Sequence, residues 1–172
     1  MDRETYPDQS LEQAAAGQLD TAIDLWFHDK DPASIHTLAL AANGIVKTIA
    51  RDRKLTLRSG VMEHLKTKSK RFQDAMRHPT NFFKHGNPKL KDGYHPRSVE
   101  IFVLDSINSY NQIFKRLTTN MVLFLAWTAI QDKMPKLMPK EIESMLIQHF
   151  SWDYLAGLTR PDFFAKVAPL LN

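Results

Sequence analysis

Two amphipathic stripes separated by a very short, proline-marked break constrain this chain more than any other feature. From Leu11 to Phe27, the apolar residues Leu11, Ala15, Leu19, Ala22, Ile23, Trp26 and Phe27 recur at the spacing of one helix face. From Ala33 to Arg53, Ile35, Leu38, Ala42, Ile45, Val46 and Ile49 do the same. Between them, Asp29-Lys30-Asp31-Pro32 stops one helix and starts the next. Asp31 suits an N-cap, and Pro32 suits a first turn, where no amide donor is needed. Helices joined so tightly fold back on each other as an antiparallel hairpin.

The periodicity continues downstream. A third helix is expected from about Arg58 to Met76, starting at Ser59 or its neighbours, with Val61, Leu65, Phe72, Ala75 and Met76 inward and a Lys/Arg outer face. His78-Pro79 disfavours helix at His78, and Gly86, Pro88, Gly93 and Pro96 punctuate the longest irregular stretch. From Ser98 a stripe of about 30 residues follows, through Val103, Ile107, Tyr110, Phe114, Leu117, Met121 and Leu125, with a bend placed at Thr118-Thr119-Asn120. It reads as the fourth bundle helix, ended by Pro135 and Pro139. A shorter helix opens at Pro139-Lys140-Glu141 with Ile142, Met145, Leu146 and Phe150, and a last one from Arg160 to Leu171 turns Phe163, Phe164, Val167, Leu170 and Leu171 inward. No segment alternates with the two-residue period of a strand, so the expected fold is all-α: an up-and-down four-helix bundle with one or two additional C-terminal helices. Residues 1–9 are expected to be a flexible N-terminus, 10–132 the bundle core, and 133–172 a C-terminal extension packed on the same domain.

Composition narrows the chemistry. A chain of 172 residues buries one real core without staples, and zero cysteines removes disulfides, thiolate metal sites and cysteine nucleophiles together. The polar N-terminus lacks the basic start and apolar run of a signal peptide, and the longest apolar run, Met121 to Ile130, is too short for a membrane span, so a cytoplasmic location is expected. There is no Gly-rich phosphate loop, nucleophile elbow, zinc-protease helix or acidic calcium loop. Charge is uneven: residues 47–97 hold 14 of the 23 Lys and Arg but 4 of the 19 acids, making this segment +10 and the remainder −6. Such a segment attracts RNA through its phosphates, or is a solvated helix face balanced by the acidic N-terminal helix.

The stretch Met76 to Arg97 gathers polar, titratable and aromatic groups between the helical patterns. On a helical turn Asn81 and His85 share one side, with Lys84 beside them and Phe82 available as an anchor. An imidazole near neutral pKa moves a proton, a lysine neutralises a phosphate, and an amide orients the attacked group. Those are the requirements of metal-independent RNA cleavage; the structural alternative is that Asn81 caps the turn and His85 bonds a backbone carbonyl. His36 is expected at the edge of the second helix's buried face, where a hydrogen-bonded core histidine is the commoner outcome than a ligand. His28, four residues after Asp24, suits a local ion pair at a helix C-terminus. A metal site built from His36, His85 and His95 is a further alternative, since three imidazoles with an open position make a hydrolytic centre.

The basic helical bundle with Arg and His at the end of a core helix resembles the HEPN superfamily of small helical domains. The stretches AIDLWFHDKDPASIHTLALAA and NFFKH are also similar to those of bacterial proteins of that kind. The resemblance covers roughly residues 10–130 and leaves the C-terminal third as an addition. Many members are RNases of toxin-antitoxin and antiviral systems that act as dimers, an Arg, four to six intervening residues and a His from each chain meeting at the interface. Here Arg71 and His78 have six residues between them, Arg58 and His64 five, and Arg77 and His85 seven. The resemblance implies a homodimeric, nucleic-acid-directed protein that cleaves RNA with no metal or cofactor, with Arg77 steadying the phosphate, His85 as general acid or base, and Asn81 and Lys84 orienting and neutralising. The competing expectations are a non-catalytic helical protein-interaction module and, third, a small metal-dependent hydrolase.

Overall fold

The computed structural model describes residues 9–58, 70, 96–132 and 135–171. Every regular element among them is helical, so the fold class is all-α, as the periodicity predicts. Helix α1 is Leu11–Phe27 and α2 is Pro32–Asp52. Ser10 caps α1 in a reciprocal box with Gln13, and Asp31 caps α2 by accepting from the amides of Ala33 and Ser34 with Pro32 in the first turn. Both helices end through a left-handed residue that is not glycine, Asp29 (φ 52°) and Lys54 (φ 55°). At each end two amides reach back to free carbonyls: Lys30 N to Leu25 O at 2.9 Å and Asp29 N to Trp26 O at 3.3 Å; Leu55 N to Ala50 O at 2.8 Å and Lys54 N to Arg51 O at 3.0 Å. The tight connection folds α2 back along α1, as its length dictates.

The expected third helix lies outside the described residues except at Arg58 and Lys70. Lys70 is helical, while Arg58 belongs to an irregular segment and not to a helix. The expected fourth helix is two helices, α3 (Pro96–Phe114) and α4 (Thr119–Gln131). The apolar stripe runs through both, but Lys115 takes a left-handed conformation (φ 54°) and Thr118 starts a new helix by accepting from the Met121 amide at 3.3 Å. The break is fixed from outside. Thr118 Oγ1 donates to the Asp20 carboxylate in the middle of α1, and Asn120 Nδ2 donates to the Asp20 carbonyl at 3.2 Å. Burial pushes the Asp20 carboxyl above its usual range, and the Thr118 bond partly offsets that.

Beyond a short 3-10 turn at Pro135–Leu137, α5 is Lys140–His149 and α7 is Arg160–Val167, close to the expected positions. Between them the five-residue α6, Trp152–Ala156, is an element the periodicity does not reveal. It is too short for a stripe and is set by Ser151, whose hydroxyl accepts from Tyr154 N at 3.2 Å. Leu146, Leu155, Phe163 and Val167 belong to the same buried cluster as Leu19, Ile23 and Phe124, so the C-terminal helices share the core of α1 and α4. Leu11, expected inward, is 56% exposed because it opens α1 beyond the packed face.

Where α2 meets α3, small residues let the backbones approach. Ser106 Oγ shares its proton between its own helix, Phe102 O at 2.8 Å, and Ala39 O of α2 at 3.0 Å. Asn43 Nδ2 donates across the same seam to Ser106 Oγ at 3.2 Å and Asp105 Oδ2 at 3.3 Å. His36 lies in this seam, fully buried and not at its edge, with its ring edge-on to Phe102 at a centroid distance of 4.5 Å. Burial pushes its pKa down to about 4. An unfolded chain binds a proton at this residue below about pH 6.5, whereas the folded chain resists it until about pH 4, so stability falls as pH drops through that window. We expect urea unfolding to report a loss of about 2 kcal/mol between roughly pH 7.5 and 5, which His36→Leu removes. An unchanged pH slope in His36→Leu would contradict this assignment.

Candidate nucleic-acid interface

The described start of the basic segment lies at the C-terminal end of α2, and its other described end, Arg97, opens α3. Lys47, Arg51, Arg53 and Lys54 line the C-terminal end of α2 and its exit, and all are exposed. The chain from Leu55 to Arg58 is irregular and is held against α3 by side-chain amides. Gln112 Oε1 accepts from Arg58 N at 2.8 Å, while Gln112 Nε2 and Asn108 Nδ2 donate to Arg58 O at 2.7 and 3.1 Å. Asn108 and Gln112 stand one helical turn apart on α3, the spacing that lets two side chains grip one peptide. Both backbone groups of Arg58 are thereby satisfied as they would be in a sheet.

This clamp leaves a groove of about 570 Å³ between the 55–58 segment and α3, lined by Leu55, Thr56, Leu57, Arg58, Asn108, Gln112, Ile113 and Lys115. Lys115 enters from the α3–α4 break, and its left-handed backbone sets it at the groove rather than on a continuing helix. Two cations nearby are neutralised: Arg51 faces Asp52 at 3.6 Å, and Arg116 binds Glu12 of α1. Tyr110, whose hydroxyl reaches towards Glu12 at 3.5 Å, has its pKa raised by burial. Lys47, Arg53, Lys54, Arg58 and Lys115 form no ion pair among the described residues. The result is a groove with Arg58 and Lys115 in its lining and Arg53 and Lys54 beside it in the chain, exposed positive charge that takes phosphates.

Arg77, Asn81, Lys84, His85 and His95 lie outside the described residues, as do His64, Arg71 and His78. Of the alternative metal ligands only His36 is described, and it is enclosed in the α2–α3 seam. Among the described residues no three His, Asp or Glu side chains are placed to share a metal ion. His28 sits where the spacing puts it, with Nδ1 3.4 Å from the Asp24 carboxylate and 2.8 Å from the Asp24 carbonyl. Asn108, Gln112 and Lys115 are groove residues that the charge pattern alone does not single out. The signal for the first two is a pair of amide side chains at helical spacing on a polar face of α3.

No family model, characterised protein or solved structure matches this chain.

The left-handed Lys115 sets stability against charge. Glycine adopts that backbone without a Cβ penalty, so Lys115→Gly should stabilise the fold by roughly 0.5–1 kcal/mol. The same substitution should flatten the salt dependence of polyanion binding by about one phosphate contact. Thermal unfolding and a binding titration read the two effects separately, and a variant that is less stable than the parent would refute the strain argument.

Proposed function

We propose that this protein is nucleic-acid-directed and holds single-stranded RNA through its phosphates along the 47–97 segment. The observation that carries this reading is the groove lined by Arg58 and Lys115, with Arg53 and Lys54 just before it in the chain, four exposed cations without an acidic partner among the described residues. Each phosphate they neutralise releases a counterion, so affinity falls steeply as salt rises.

The HEPN resemblance adds a reaction to the binding. In that proposal His85 takes the proton of a ribose 2′-hydroxyl, and the oxygen attacks the adjacent phosphorus. The 5′-oxygen leaves with a proton, giving a 2′,3′-cyclic phosphate and a 5′-hydroxyl. Arg77 and Lys84 offset the charge that builds on the phosphate, and Asn81 orients it. A homodimer belongs to the same reading, since the family assembles its site from two chains.

A protein-interaction module is the second reading, and it has its own support. Ile147, Trp152 and Tyr154 are exposed, and Trp152 edges an apolar hollow of about 480 Å³ with Ile130 and Met138.

Salt separates the two. Raising salt from roughly 50 to 200 mM should weaken RNA binding by an order of magnitude or more, and replacing Lys54, Arg58 and Lys115 together by Ala should flatten the log–log slope by about 2. Salt-insensitive binding, or an unchanged slope, would move the reading to the interaction module. For the reaction, wild type should cleave mixed RNA in EDTA and His85→Ala should not; equal cleavage by the two removes His85 from the site.

A further inference from the structure

A second site lies at the other end of α3. Its walls are Arg97 and Glu100 from the first turns of α3, Trp127, Thr128, Gln131 and Asp132 from the end of α4, and Arg160 from the start of α7. They enclose about 240 Å³, below the range of roughly 300–1,000 Å³ usual for drug-sized ligands and matched to a single planar ring system.

The lining keeps acceptors in reserve. Thr128 Oγ1 donates to Phe124 O at 2.9 Å and Gln131 Nε2 donates to Ala156 O at 3.1 Å, which leaves each an oxygen able to accept. The Glu100 carboxylate accepts from the indole of Trp26 and has further lone pairs. Arg160 is drawn aside by Asp29 and by the face of Trp26, 4.7 Å from its centroid. Arg97 pairs with Asp132 at 3.5 Å, and its side chain is 69% exposed, at the mouth of the pocket. Arg97 and Arg160 both disfavour a cation inside, and partial burial raises the Glu100 carboxyl. What fits is a neutral, planar, donor-rich group beside an aromatic wall.

We infer that this pocket receives a guanine base, with Glu100 accepting from its adjacent N1–H and 2-amino groups, Trp127 forming the wall, and Arg97 meeting the attached phosphate. Among the common bases guanine alone places two donors side by side on its pairing edge. Adenine and cytosine set a ring acceptor beside their amine, and uracil sets a single N–H between two carbonyls, so each turns an acceptor towards the carboxylate. The inference rests on the nucleic-acid reading and names the base that reading would select, at a site separate from the basic groove.

The test is titration of the full chain with GMP, IMP, AMP, CMP and UMP, followed by tryptophan fluorescence and calorimetry. GMP should bind at least tenfold tighter than AMP, CMP or UMP, and tighter than IMP, which lacks the 2-amino group. Glu100→Gln replaces one acceptor by a donor and should erase the preference for GMP over IMP. Arg97→Ala, at the exposed rim, should weaken GMP but not guanosine. Equal binding of the nucleotides, no binding, or an intact GMP preference in Glu100→Gln overturns the inference. Salt-dependent RNA binding measured on Glu100→Gln keeps the two ideas apart: its persistence leaves the groove reading standing whatever the pocket does, and its absence in wild type removes that reading.

Discussion

The structure depends on the burial of two rings at the end of α1. Phe27 is fully enclosed and Trp26 nearly so, and between them they meet rings of both α4 and α7. Trp26 meets Phe124 of α4 at 4.7 Å, edge to face, and Phe27 stacks on Phe163 of α7 at 6.2 Å and tilts against Phe164 at 5.2 Å. Trp127 closes the group by meeting Phe163 at 5.2 Å. Such pairs add about 0.5–1.5 kcal/mol each to the burial of the rings themselves. Removing Phe27 would open a cavity costing about 3–5 kcal/mol, a large part of the net stability of a domain this size. The same cluster sets the guanine-sized pocket, because Arg160 is held by the Trp26 face and Glu100 by the Trp26 indole.

The α2–α3 seam solves a different problem. Apolar packing there would tolerate sliding by a turn, whereas the Ser106 hydroxyl reaches the Ala39 carbonyl, and Asn43 reaches Ser106 and Asp105, in one register only. The polar groups carry a penalty. Asn43 Oδ1 is buried with no hydrogen bond among the described residues, a loss of about 1–3 kcal/mol for an amide oxygen taken from water. Fixing the α2–α3 register also fixes the clamp on Arg58, since Asn108 and Gln112 continue the same helix beyond Ser106.

Helix positions were legible wherever a long apolar stripe coincided with a cap, as at Asp31-Pro32, because both signals are local. The interruption between α3 and α4 was legible only as a bend at Thr118-Thr119-Asn120 and not as a full break, because the stripe continues through it and its cause is Asp20, 98 residues away from Thr118. The depth of His36 was missed for a similar reason: its position on α2 places it near the stripe, but only the approach of α3 decides that it is enclosed. Charge counting located the basic segment and Arg97. The Glu100 pocket gave no local signature, being assembled from α3, α4 and the start of α7 around a ring from α1. The proposed Arg77, Asn81, Lys84 and His85 site was read from residue chemistry alone and lies outside the described residues.

The ion pair between Arg160 and Asp29 joins residues 131 positions apart, and Phe27 finds Phe163 across a similar span. During synthesis the α1–α2 hairpin is complete while the chain that will cover its aromatic end has yet to be made. Translation adds roughly 5–20 residues per second, so Trp26 and Phe27 face solvent for several seconds before α7 emerges. The hairpin is thus an early, sticky intermediate, and the fold closes only when its last helix arrives.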